Sequence, residues 1–129
     1  MTLIEKTKAV NYFRTKLEFT VGPVELAHML EDRVDLTILD VRAEEDYNKG
    51  HIPGAINVPK ERWDTFEGLS MARRHVVYCY SQQCHLAAAA CVKFATRGFR
   101  VLELEGGIQA WQQLGFQMEG VEAGRCKAA

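Results

Sequence analysis

The sequence predicts an α/β domain built around a parallel sheet. Short apolar runs, at residues 36–39, 75–79 and 101–104, alternate along the chain with longer segments of helical character. This alternation is typical of a parallel sheet with helices packed on it, because each helix returns the chain to the start of the next strand. The length of 129 residues suits one compact domain.

Residues 1–18 are expected to form a helical arm that precedes this domain. Phe13 and Leu17 would lie on one face of such a helix. We assign the domain itself to residues 19–118. Residues 119–129 are expected to form a flexible tail, since chain ends are often weakly ordered.

Within the domain, proline and glycine residues separate the predicted elements. Pro23 fits the first turn of a helix, whereas Gly50, Gly98 and Gly115 each follow a helical segment and predict its end. The predicted helices lie at residues 23–30, 43–49, 60–69, 84–96 and 107–114. The predicted strands lie at residues 36–39, within 52–58, and at 75–79 and 101–104.

The composition is that of an ordinary globular domain, with 47% apolar and 26% charged residues. The 16 basic and 17 acidic residues give a net charge of −1, so bulk charge attracts neither nucleic acid nor an anionic membrane. No apolar run approaches the roughly 20 residues of a membrane helix. The charged first turns differ from a secretory signal. We therefore expect a reducing, cytoplasmic compartment and neither a nucleic-acid nor a membrane partner.

Cys79 is the candidate nucleophile, because it ends the clearest predicted strand and a helix is predicted to begin five residues later. Parallel sheets bind their ligands at the carboxyl ends of the strands. Backbone N–H groups of the intervening loop and the helix would face the sulfur, favour an anion there and lower the thiol pKa. A buried strand cysteine would give the same local pattern, which alone does not decide between the two. The residues that follow Cys79 are Tyr80, Ser81, Gln82, Gln83, Cys84 and His85.

Four segments in a fixed order resemble the rhodanese-like domain family. They are residues 39–59, with Leu39-Asp-Val-Arg42 and Gly50-His-Ile-Pro-Gly; residues 76–79; residues 98–102; and residues 104–111, with Leu104-Glu-Gly-Gly. Together they extend the resemblance over about residues 19–116. The family implies a doubly wound parallel sheet of about five strands flanked by helices.

The resemblance also implies a function, that of a sulfurtransferase which carries sulfur as a persulfide on Cys79. Residues 80–84 match the family's active-site loop. Asp40 and Arg42 match supporting positions, where we expect a strand-end ion pair that braces the loop. The substrates would be a small sulfane-sulfur donor and a thiol or cyanide acceptor, with a sulfur-relay protein as a further partner class. No metal or organic cofactor is required.

The loop departs from the family's usual pattern, in which active members often carry a basic residue and a glycine. Cys84 stands about where an arginine is expected. Since a dianionic donor gains from a nearby cation, a thiol persulfide is a more compatible donor than thiosulfate. Cys84 could act as a resolving thiol that attacks the persulfide and releases sulfide, or it could simply face the protein interior.

Three other interpretations are open. The first is a rhodanese-like binding or regulatory module without turnover. The second is a phosphatase or arsenate reductase, which would need an arginine where His85 stands. The third is a metal or haem site formed by Cys79, Cys84 and His85, for which the spacing is unfavourable.

Overall fold

The computed structural model describes residues 1–120 and shows a five-stranded sheet. Its strand order is first, fifth, fourth, second, third, and every neighbouring pair is parallel. Helices cover both faces, so the predicted fold class is confirmed. The strands are β1 (Thr20–Val21), β2 (Leu36–Asp40), β3 (Ile56–Asn57), β4 (Arg74–Tyr78) and β5 (Arg100–Leu104).

Within the described residues, five α-helices and one 3-10 helix accompany the strands. The α-helices are α1 (Leu3–Phe19), α2 (Pro23–Glu31), α3 (Glu44–Lys49), α4 (Leu86–Thr96) and α5 (Gly107–Gln113), and the 3-10 helix is Lys60–Thr65. Helix α4 and the 3-10 helix pack on one face of the sheet, and α2 and α5 pack on the other. Within residues 1–120, no helix is long and apolar enough to cross a membrane.

β4 lies at the centre of the sheet, and both of its faces are buried. Val77 and the adjoining Cys79 pack with Phe94 of α4, whereas Val76 and Tyr78 belong to the apolar cluster on the opposite face. Successive strand residues point to opposite faces, and a strand covered on both faces is apolar throughout. This alternation decides which side chains share a face with Cys79.

Two local predictions differ from the structure. The strand β1 was not predicted, because two residues are too few to show a periodic pattern. The segment predicted as a helix over residues 60–69 forms only the 3-10 helix, which ends at Phe66 in a left-handed conformation with φ of 53°. Trp63 fixes this short turn against the core by donating from Nε1 to the Val58 carbonyl oxygen at 2.9 Å.

The two ends of the described chain differ in their contacts with the rest of the protein. Helix α1 begins with a capping box at Thr2 and buries none of its side chains. Glu119 exchanges two backbone hydrogen bonds with His51, each of 2.8 Å, and its carboxylate accepts a hydrogen bond from the Gly54 N–H at 2.7 Å. Most of the segment predicted to be a flexible tail, residues 121–129, lies outside the described part of the chain.

Candidate active site

Cys79 directly follows β4, at the carboxyl edge of the sheet, and its side chain is only 2% exposed. Its thiol donates a hydrogen bond to the carbonyl oxygen of Cys84, with 3.4 Å between Sγ and O. The backbone N–H groups of Tyr80 and Ala87 act to lower the pKa of this thiol, so both lie near the sulfur. The loop and the first turn of α4 therefore form a cradle around the Cys79 sulfur.

The loop of residues 80–85 is fixed by its own turn and by a side chain. The Cys84 N–H donates to the Ser81 carbonyl oxygen at 3.1 Å, which closes the turn. Gln82 reaches across to the next loop, where its Oε1 accepts a hydrogen bond from the Gly106 N–H at 2.6 Å. Gln83 and His85 are exposed, so they face a molecule that approaches the site.

Helix α5 docks end-on against the start of this loop. The N–H groups of Ile108 and Gln109 donate to the carbonyl oxygens of Cys79 and Tyr80, each at 3.0 Å. Gly107 allows this close approach, because a Cβ atom there would lie 2.7 Å from the Cys79 carbonyl oxygen. The paired glycines near the end of the domain thus hold the active-site loop in place.

Asp40 and Arg42 form a buried ion pair on the face of the sheet opposite to Cys79. The Arg42 Nη2 lies 2.7 Å from Asp40 Oδ2, and its Nε lies 3.1 Å from both carboxylate oxygens. The Tyr78 hydroxyl also donates to Asp40, at 2.7 Å, and Arg42 donates to the Gly50 carbonyl oxygen at 2.6 Å. Burial, together with the charge of Asp40, raises the pKa of Tyr78, so its hydroxyl stays protonated.

This ion pair reaches the active-site loop at one side chain. The Arg42 guanidinium lies 5.7 Å from the centre of the Tyr80 ring, and the Tyr80 hydroxyl is hydrogen-bonded to Asp46. Arg42, held by Asp40, therefore contacts the start of the loop at Tyr80, a position that suits the bracing role expected from the sequence.

The protonation of the thiols differs from our expectation that the cradle would lower the pKa of Cys79. Burial, with a smaller effect from Cys84, raises the pKa of the Cys79 thiol to about 11, and the N–H groups of Ala87 and Tyr80 offset only part of the increase. The expectation was wrong because removing a thiolate from water outweighs two amide dipoles.

Cys84 is the more acidic thiol of the pair. Partial burial acts to raise its pKa, but the adjacent Cys79 thiol and the backbone N–H groups of Leu86 and Tyr80 lower it by more. Cys84 is also the more exposed of the two. The structure thus places the Cys79 thiol against the Cys84 carbonyl oxygen, and the pKa of the outer cysteine is the lower of the two.

Glu103 is a charged residue near the thiols that was not singled out from the sequence. It pairs in register with Val77, so it lies on the same face of the sheet as Cys79. Burial, followed by the charge of Glu105, raises the pKa of the Glu103 carboxyl, while His85 acts in the opposite direction. A signal was available, because Glu103 is the acidic residue inside an otherwise apolar run.

Cys79, Cys84 and Cys91 are free thiols, and Cys91 packs on the inner face of α4. Burial raises the pKa of Cys91 to about 12. Within residues 1–120, no group of three or more His, Cys, Asp or Glu side chains is arranged to hold a metal ion.

Several curated proteins show similarity to this chain, among them a transcriptional regulator and a sulfurtransferase. The HTH-type transcriptional regulator Rv0324 of Mycobacterium tuberculosis is 37% identical over 92 residues, which make up 70% of this chain and 41% of Rv0324. The chain therefore spans about two fifths of that relative. The thiosulfate sulfurtransferase GlpE of Shewanella oneidensis is 35% identical over 91 residues, which make up 69% of this chain and 87% of GlpE.

A solved structure and a family model agree with these similarities. The crystal structure of the BH2092 protein from Bacillus halodurans has a TM-score of 0.84 and 32% identity, and the match covers 91% of this chain and 88% of that one. The model of the rhodanese-like domain matches residues 22–114. With its parallel sheet and its cysteine at the carboxyl edge, this chain belongs to the rhodanese-like domain family.

Proposed function

We propose that this protein is a rhodanese-type sulfurtransferase that carries sulfur as a persulfide on Cys79. The observation that best supports this function is the position of Cys79 at the sheet edge, where its thiol is held against the Cys84 carbonyl oxygen beside the first turn of α4 and the N–H groups of Tyr80 and Ala87 act to lower its pKa. Such donors stabilise a negatively charged sulfur in a site from which water is excluded. Relatives named as sulfurtransferases support the same chemistry.

The transfer consists of two displacements. The Cys79 thiolate attacks the outer sulfur of a donor R–S–SH, forms Cys79–S–SH and releases the thiolate RS⁻. An acceptor thiolate or cyanide then attacks the outer sulfur of this persulfide and restores the Cys79 thiolate. Because the pKa of Cys79 is raised, a base must take its proton, and we assign this role to the neighbouring Cys84, whose pKa is lowered.

The donor we propose is a thiol persulfide rather than thiosulfate. The loop of residues 80–84 carries no lysine or arginine. Arg42 lies on the opposite face of the sheet, where Asp40 already neutralises it. Without a cation beside Cys79, the sulfonate group of thiosulfate would have no charged partner. The acceptor is a small thiol, cyanide or the cysteine of a relay protein, and a reducing cytoplasm would keep both thiols available.

Cys84 is proposed as the resolving thiol. Its thiolate attacks the inner sulfur of the Cys79 persulfide, forms the Cys79–Cys84 disulfide and releases the outer sulfur as sulfide. A dithiol reductant would then return both cysteines to the reduced state. The lowered pKa of Cys84 and the hydrogen bond from the Cys79 thiol to the Cys84 carbonyl oxygen support this step.

The test is intact-protein mass spectrometry after exposure to glutathione persulfide and, separately, to thiosulfate, with peptide mapping of any added sulfur. We expect one sulfur atom on Cys79 from the persulfide and little from thiosulfate. Cys79→Ser should abolish loading, and Cys91→Ser is the matched control that should keep it. Cys84→Ser should still load but release less sulfide, and unchanged release would remove the resolving role.

One observation favours a second candidate function, that of a binding module without turnover. Cys79 is 2% exposed and its pKa is about 11, as for an unreactive buried thiol. The same experiment decides between the two functions. If reduced wild-type protein gains no sulfur from either donor, the binding module is the better assignment.

A further inference from the structure

The position of Glu103 follows from the register of the sheet. Its partner on β4 is Val77, which lies two residues before Cys79 on the same face. A strand spacing of about 4.8 Å and a rise of about 3.3 Å per residue place the Cα atoms of Glu103 and Cys79 about 8 Å apart. Helix α4, whose first turn forms part of the cradle, packs over this face. Glu103 is therefore part of the wall of the thiol site.

The charges around Glu103 leave this wall acidic. Glu105 directly follows β5 and is paired with Lys16, with 3.7 Å between Oε2 and Nζ. His85, in front of the first turn of α4, is the nearest positive candidate and is exposed. Glu103 itself makes no side-chain ion pair among the described residues. Its negative charge acts to raise the pKa of Cys84 and of Cys91, so it affects the thiols on this face of the sheet.

We infer that Glu103 determines the charge selectivity of the thiol site, because its carboxylate disfavours doubly anionic sulfur donors and leaves less negatively charged donors as substrates. The inference rests on the proposed function where it concerns sulfur donors. The charge selectivity of the thiols towards any reagent is a property of the site alone. A unit charge at about 8 Å, in surroundings between water and protein interior, changes such a rate by about fivefold per charge on the reagent.

The first experiment measures this selectivity without sulfur transfer. Iodoacetate and iodoacetamide alkylate the same thiolate and differ by one negative charge. A change in accessibility or in thiolate fraction affects both rates equally, so it leaves their ratio unchanged. Rates are read by peptide mapping at Cys79 and Cys84. Glu103→Gln should raise the iodoacetate-to-iodoacetamide ratio by about fivefold at low salt. Glu105→Gln, the matched control, removes the same charge just after β5, where Lys16 already pairs with it, and should change the ratio by less than about twofold.

A second measurement on the wild-type protein needs no variant. If the wall is acidic, added salt screens it, and the same ratio should rise between low salt and about 0.5 M salt. A ratio that is unaffected by both salt and Glu103→Gln would overturn the inference. So would equal effects of Glu103→Gln and Glu105→Gln, because the selectivity would then reflect net charge and not this position.

The third experiment measures the same charge selectivity with sulfur donors. Thiosulfate and methanethiosulfonate differ by a methyl group in place of one charged oxygen, so they carry two and one negative charges. Glu103→Gln should increase kcat/KM for thiosulfate about fivefold more than for methanethiosulfonate. If neither of these donors nor glutathione persulfide loads wild-type Cys79, the proposed function fails. The alkylation ratio still decides the inference in that case. If both donors load and Glu103→Gln leaves their ratio unchanged, the inference is wrong.

Discussion

Replacing Gly107 by alanine should destabilise the fold and disturb the thiol site at once. The added Cβ would lie 2.7 Å from the Cys79 carbonyl oxygen and 2.9 Å from the Ser81 nitrogen. Both atoms belong to the backbone of the active-site loop, so they cannot yield as a flexible side chain would. Either the loop or the first turn of α5 must move, and the hydrogen bond from the Ile108 N–H to the Cys79 carbonyl oxygen would lengthen.

The expected cost has two parts. Gly107 has a φ of +58°, in the left-handed region, where an L-residue costs about 1–2 kcal/mol. Forcing an extra methyl group into a filled space costs about 1–3 kcal/mol more. Gly115→Ala is the matched control, because Gly115 has a φ of +74° and nothing lies within 4 Å of its Cβ position. The control should therefore show only the backbone cost of about 1–2 kcal/mol.

Urea denaturation gives the free energy of unfolding of both variants by linear extrapolation. Gly107→Ala should lose about 2–5 kcal/mol in total and at least about 1 kcal/mol more than Gly115→Ala. The rate of Cys79 alkylation should rise in Gly107→Ala alone, because its cradle is displaced. Equal losses in the two variants, with unchanged alkylation, would refute the close contact between α5 and the loop.

Three further predictions concern charge and protonation. Asp40→Asn should lower the free energy of unfolding in urea by about 3–5 kcal/mol, because a guanidinium stays buried without its partner. Asp35→Asn, at an exposed ion pair, should cost less than about 1 kcal/mol, and equal costs would contradict the difference in burial. Alkylation of Cys79 should increase up to a pH of about 11, and that of Cys84 should level off at lower pH; coincident profiles in peptide mapping would argue against the two pKa shifts. Burial lowers the pKa of His75, so the unfolded chain binds a proton more readily, and stability should fall as pH decreases below 6.5. Urea midpoints at several pH values test this, and a His75→Gln variant that kept the full slope would exclude His75 as its source.

The fold could be predicted from the sequence because its elements leave local signals. The apolar runs of β2 and β4 are buried on both faces, that of β5 is partly buried, and Pro23 and Gly98 mark helix ends. Where the signal is short, prediction fails. The two residues of β1 depend on pairing with β5, and the turn at Phe66 depends on contacts made far along the chain.

The position of Cys79 and its loop could also be predicted, since both follow from the end of one strand. The ionisation of Cys79 could not, because it depends on how completely α4 and the loop exclude water from the sulfur. The contribution of Glu103 required the register of β5 against β4. Local sequence therefore locates the reactive atom, whereas its charge and surroundings depend on packing between distant segments.

The raised pKa of Cys79 is compatible with sulfur transfer when the loaded form is considered. A persulfide is a stronger acid than the thiol from which it forms, so loading places an anion where the resting site holds a neutral thiol. Under the proposed function, the N–H groups of Tyr80 and Ala87 would then stabilise the loaded state more than the resting state. Glu103 acts against that anion from the same face of the sheet. The amide dipoles would stabilise the bound persulfide anion, and the carboxylate would destabilise it. The sulfur could therefore be carried by Cys79 and still be released to an acceptor.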